Sequence, residues 1–266
     1  MSDSVPKHVA ADPVLYPFRD ADALSKALAD YVIRVQNEAL ERRSKFMIAL
    51  SGGSLPSLLA KHLVHRDDAA VHWDKWQVFF ADERIVPLDD PESNYQLSNN
   101  AIFSQVPQLQ RDQVHTIDEN HLNDAEEAAD TYEKQLMHAF AGKESVRTPV
   151  FDLILLGLGP DGHTCSLFPG HELLKEQERW VAPIEDSPKP PSRRITFTYT
   201  VLNHAHHIAF VLTGEGKQDI LAKVLDEPQL GLPSSLVRPT TPGDVLFFAD
   251  EAATKKTHYP RGKFNL

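Results

Sequence analysis

With 266 residues, 41% of them hydrophobic, the chain is long enough for a sizeable core, and a single α/β domain over residues 1–266 is expected. Its 27 basic and 38 acidic residues leave a net charge of -11, so neither nucleic acid nor a membrane surface is expected as a partner, since both need a basic footprint. One cysteine, Cys165, excludes an internal disulfide framework; residues 1–18 lack the apolar core of a secretory signal, and no run reaches a membrane span, so a cytoplasmic monomer is the expected form.

In chain order, an amphipathic helix is predicted from about Asp20 to Arg43, then a strand from Phe46 to Leu50. The loop Ser51-Gly52-Gly53-Ser54 leads into a helix near Leu55, with Pro56 suited to its first turn. A strand from Trp76 to Ala81 runs into the loop Asp82-Glu83-Arg84. Helices follow from about Asn94 to Phe103 and from Asp124 to Ala141, and the second feeds the apolar strand Phe151 to Leu156. Strands Ile195 to Tyr199, His207 to Leu212 and Val245 to Phe248 complete the set, with a helix from about Lys217 to Leu225. Continuous apolar strands alternating with helices point to a parallel sheet buried on both faces.

The stretch from Gly157 to Gly170 carries the sharpest chemistry. Its opening, Gly157-Leu158-Gly159-Pro160-Asp161-Gly162, fits the G-x-G-x-x-G pattern of dinucleotide sites, but Pro160 interrupts the turn and Pro169-Gly170 stops any long helix, so no nucleotide cofactor is expected. Asp161 stands two residues before His163, close enough to fix the tautomer of the ring, and such a pair can take a proton from water near neutral pH.

These residues resemble the signature loop of the 6-phosphogluconolactonases, within the superfamily of glucosamine- and galactosamine-6-phosphate isomerases. The similarity extends to Ala49 through Pro56, to Phe79 through Pro87, to Asp186 through Pro191, to Thr213 through Lys217 and to Phe247 through Ala253. It implies a Rossmann-like three-layer α/β/α sandwich with a mostly parallel sheet, whose ligands gather beyond the carboxyl ends of the strands. It also implies hydrolysis of a phosphorylated sugar lactone without metal or cofactor, His163 serving as base and then acid and Asp161 orienting it.

The remaining candidates meet a phosphorylated ligand. Ser51, Gly52, Gly53 and Ser54 can offer backbone N–H groups to an anion, or Ser54 can simply cap the helix; the resemblance favours the anion. Arg84 can fork onto phosphate or pair with Asp82 or Glu83, and the resemblance assigns it and Asp82 to the ligand. Lys217 is the second cation. Arg194 is the third, with Arg193 as the competing neighbour.

Other features have plainer readings. Cys165 is expected to pack rather than to serve as a nucleophile, and His204, His206 and His207 mark the start of a strand rather than a metal site. Pro188-Lys189-Pro190-Pro191 is a minimal P-x-x-P, read as a stiff connector that places Arg194. Deaminases of the same fold carry a glutamate after the histidine, where this chain has Leu167-Phe168-Pro169, which counts against amino-sugar chemistry. A non-catalytic homologue would not be expected to keep Asp161, His163, Arg84 and Lys217 together.

Overall fold

Alternation within the strands decides the architecture. In β2 (Phe46–Leu50), Phe46, Ile48 and Leu50 enter one hydrophobic cluster while Met47 and Ala49 enter another. The same split runs through β3 (Trp76–Phe80), β5 (Leu153–Leu156), β8 (His207–Leu212) and β9 (Asp244–Asp250), because successive side chains point to opposite faces. Both faces of the sheet are therefore covered. The computed structural model describes residues 12–66, 70–140, 148–239 and 243–265.

The sheet has six parallel strands in the order β1-β9-β8-β5-β2-β3, with β1 at Val14–Phe18. One face packs on α1 (Ala21–Arg42) and α2 (Leu55–Leu63), with Tyr95 of α3 (Asn94–Ala101) at the margin. The other packs on α4 (Ala125–Phe140) and α6 (Gln218–Asp226), and on a second sheet of three antiparallel strands, β4 (Asp82–Arg84), β7 (Arg194–Phe197) and β6 (Val181–Ile184). The short helix α5 (Tyr199–Leu202) follows β7. The fold is a Rossmann-like three-layer α/β/α sandwich. Full burial of a residue such as Phe210 or Phe247 contributes about 1.5–3 kcal/mol.

Helix ends obey local chemistry. The Asp20 side chain accepts from Ala23 N at 2.8 Å and caps α1, whereas Ser54 makes no side-chain cap ahead of α2. At the far end of α1, Arg42 and Arg43 both reach the buried Asp152 carboxylate, which also accepts from Met47 N. That charge is paired and hydrogen-bonded, as a buried carboxylate must be.

Several sequence expectations are corrected. Asp82-Glu83-Arg84 is a strand rather than a loop, too short and too polar for an alternating pattern to reveal. The strand expected at Ile195 to Tyr199 begins at Arg194, ends at Phe197 and belongs to the small sheet; Tyr199 opens α5 instead. β1 and β6 were not expected at all. Each contains a proline, Pro17 or Pro183, and each is the last strand of its sheet, where a missing N–H is tolerated. Ala141, the expected end of the fourth helix, lies outside the described residues. No helix among those described is long and apolar enough to cross a membrane.

Candidate active site

After β2 the chain turns outward to β3, while after β5 it turns the other way to β8, so the loops beyond these adjacent strands diverge. A crevice must open there. It is a cavity of about 270 Å³ walled by the Ser51–Ser54 loop after β2, Asp82 and Arg84 after β3, Gly157 to His163 after β5, and Lys217 after β8. Arg194 enters from β7. Nine of the ten residues singled out from sequence line it; the tenth, Asp161, stands behind His163.

Asp161 Oδ1 lies 2.5 Å from His163 Nδ1, which leaves Nε2 as the nitrogen available to a ligand. Burial lowers the pKa of His163, against the upward pull of Asp161, which favours the neutral ring. Burial is the largest single influence on Asp161 and raises its pKa, but the hydrogen bond and charge of His163, its own backbone N–H and the charge of Lys189 together outweigh it and hold the pKa below the usual carboxylate range. The ring is also seated mechanically. A Cβ on Gly159 would stand 2.0 Å from His163 Nδ1, and Phe168 packs against the ring with centroids 4.6 Å apart. Gly159 N donates to His163 O, and Ser234 grips the Gly162 carbonyl twice, from N at 3.1 Å and from Oγ at 2.7 Å. The segment around Ser234 thus straps the loop from outside. The glycine motif at Gly157 opens no α-helix, as its prolines require.

The phosphate-side candidates differ in how free they are. Asp82 is buried, accepts from Ser166 Oγ at 2.9 Å, and its backbone oxygen accepts from Asn94 Nδ2. Arg84 pairs with neither Asp82 nor Glu83; its Nη1 donates to Glu92 O at 2.8 Å and meets the Glu92 carboxylate at 3.4 Å. Glu83 is instead fully buried. It accepts from Arg84 N, Asn94 N, Tyr95 N and Ser93 Oγ, which ties β4 to the start of α3, and burial pushes its pKa up to about 7. Asn94 presses on the Ser51–Ser54 loop: a Cβ at Gly52 would meet Asn94 Oδ1 at 1.8 Å. Ser51 Oγ is buried at the cavity wall without a hydrogen-bond partner.

Lys217 Nζ donates to Leu158 O, and burial lowers its pKa. Arg194, rather than Arg193, turns inward. Its Nε and Nη2 donate to the carbonyls of Pro191, Lys189 and Pro190, and its Nη1 to Ser166 Oγ, so one of its five N–H groups remains for a ligand. Arg193 binds Leu122 O and pairs with Glu185. Cys165 lines the cavity in the left-handed region at φ 51, and burial pushes its thiol pKa well up, which suits packing rather than nucleophilic attack.

Two participants were not singled out from sequence. Lys189 and Ser234 both hold the Gly157–Gly170 loop, and both reach it from distant segments. His204 turns to Thr200 O and His207 to Asp244, and no cluster of three metal-ligating side chains forms among the described residues.

A family profile described as glucosamine-6-phosphate isomerases/6-phosphogluconolactonase matches residues 19–247. The chain is 48% identical over 244 residues to a probable 6-phosphogluconolactonase of Schizosaccharomyces pombe, covering 90% of this chain and 94% of that one. It is 46% identical over 247 residues to the human 6-phosphogluconolactonase, covering 91% and 93%. Among solved structures, the 6-phosphogluconolactonase of Trypanosoma cruzi superposes with a TM-score of 0.77 at 31% identity, covering 93% of this chain and 98% of that one.

Proposed function

The chain belongs to the family of glucosamine-6-phosphate isomerases and 6-phosphogluconolactonases, and we propose that it hydrolyses 6-phospho-D-glucono-1,5-lactone to 6-phosphogluconate, a step of the oxidative pentose phosphate pathway. The observation that carries this reading is the His163–Asp161 pair set in one cavity with three cations. The hydrogen bonds of Arg194 and Lys217 go to neutral oxygens, so both keep their charge for an anion, in a molecule whose overall charge is negative.

His163 Nε2 takes a proton from water as that water attacks the C1 carbonyl. Asp161 keeps the other proton on Nδ1 and stabilises the imidazolium that forms. The imidazolium then gives its proton to the ring oxygen, which leaves as the C5 hydroxyl. Arg84, Arg194, Lys217 and the N–H groups of the Ser51–Ser54 loop hold the phosphate, Asp82 and Ser166 order the cavity floor between them, and remote binding positions the carbonyl. The residues after the histidine, Leu167 and Phe168, are buried and carry no acid, which gives an amino-sugar deaminase no group to work with. A monomer in the cytoplasm is the proposed form, the lone buried thiol suiting a reducing compartment.

His163→Ala is expected to lower catalysed lactone hydrolysis by roughly a hundredfold or more, as loss of general acid–base catalysis implies, with the circular dichroism spectrum unchanged. Turnover close to that of the unmodified protein would overturn the mechanism.

A further inference from the structure

Three groups meet at one nitrogen. Asp161 Oδ1 is 2.5 Å from His163 Nδ1, Lys189 Nζ is 3.3 Å from the same carboxylate oxygen, and Lys189 Nζ is 3.2 Å from Nδ1 itself. An ammonium has only donors, and a Nδ1 that donates to Asp161 has no lone pair to offer it. The lysine–imidazole approach is therefore a contact between a fixed charge and the ring, while the hydrogen bond of Lys189 goes to Asp161.

We propose that Lys189 is a positioning residue for the base: by sharing the Asp161 carboxylate with the imidazole, it limits how strongly that carboxylate can hold a second proton on the ring. The proposal rests on the reading of His163 as the proton carrier. A carboxylate facing an imidazole alone favours the charged ring, and so favours a base already protonated at neutral pH. A cation on the same carboxylate opposes this in both halves of the reaction. It keeps the resting ring neutral and able to accept, and it makes the imidazolium a stronger acid when the ring oxygen must be protonated. Like charges at this separation repel by more than thermal energy even with the screening of water.

The chain fixes the backbone from which the Lys189 side chain reaches the pair. Ser187 Oγ accepts from Lys189 N and donates to Lys189 O, Arg194 Nη2 donates to the same carbonyl at 2.8 Å, and prolines at 188, 190 and 191 fix the flanking backbone. Arg194 thus acts on the base through this loop as well as facing the cavity. The charged groups that face His163 are Asp161, Lys189 and, through space, Asp82 of β4; Lys217 acts on Asp161 and Lys189. Burial is the largest influence lowering the pKa of His163, and Lys189 acts in the same direction against Asp161.

The test compares Lys189→Met and Lys189→Arg in the full chain. In Lys189→Met the acidic limb of kcat/KM is expected to move up by about one pH unit, so that activity falls several-fold more at about pH 6 than at about pH 8, with KM for the phosphorylated lactone unchanged. Lys189→Arg keeps the charge and should leave the limb in place. Nitrogen-15 NMR titration of His163 in the resting protein should show the same upward movement without relying on turnover. If His163 is not the proton carrier, His163→Ala stays active while the NMR movement still reports on Lys189. An unmoved or lowered His163 titration in Lys189→Met overturns the proposal, as does a raised KM with an unmoved limb, which would make Lys189 a ligand contact instead.

Discussion

At the scale of single residues, the candidate base is set by what surrounds it more than by its own identity. Gly159 shows this most directly, since any side chain there would occupy the place of the imidazole. Gly159→Ala is expected to swing the ring off Asp161 and to lower kcat by roughly ten- to a hundredfold, as a displacement near 1 Å implies, with KM nearly unchanged; steady-state kinetics beside a histidine NMR spectrum checks both halves. Unaltered kcat would mean that the ring does not need its seat. Asp161 and His163 were legible in the sequence because they lie two residues apart on one loop after one apolar run. Lys189 and Ser234 were not, because they reach that loop across 26 and 72 residues. A lysine between prolines looks like part of a spacer until the fold brings it to the ring.

At the scale of elements, the loops that carry the site are braced by strands and helices that take no part in chemistry. Glu83 links β4 to α3 from a fully buried position, and α3 in turn sets Asn94 against Gly52. Its folded pKa, about 7, lies above the ordinary value near 4.5, so the stability it contributes is full below about pH 4.5 and is lost as pH rises through 7. Glu83→Gln removes that titration. Urea unfolding should show the unmodified protein losing about 1–3 kcal/mol relative to Glu83→Gln between about pH 5 and 8. A constant difference across that range would place the proton elsewhere. The six-stranded sheet was legible where strands are continuously apolar, and illegible where Pro17 broke the pattern at its edge, as Pro183 did at an edge of the small sheet. The small sheet was hidden for a different reason: three polar residues of β4 acquire strand geometry only by pairing with β7.

At the scale of the whole molecule, the two sheets share one interior. Phe79, Ile154 and Phe210 of the large sheet lie in the same cluster as Val181, Ile195 and Phe197 of the small one, with α4 packed beside both. We propose that residues 12–265 unfold as one unit, and calorimetry should show a single transition whose van't Hoff and calorimetric enthalpies agree. Two separable transitions would divide the chain into independent parts. The closure of the large sheet has a further consequence for the order of events during synthesis. β1, the first of the described strands to leave the ribosome, pairs along its length with β9, the last of them, with Val14 opposite Leu246 and Phe18 opposite Asp250. Until translation has passed residue 250, β1 has no place in the sheet and the outer edge of β8 stands open. Between the emergence of β8 and that of β9 the nascent protein therefore carries an unsealed edge, and a ribosome stalled in that interval would hold a chain prone to pair with its neighbours.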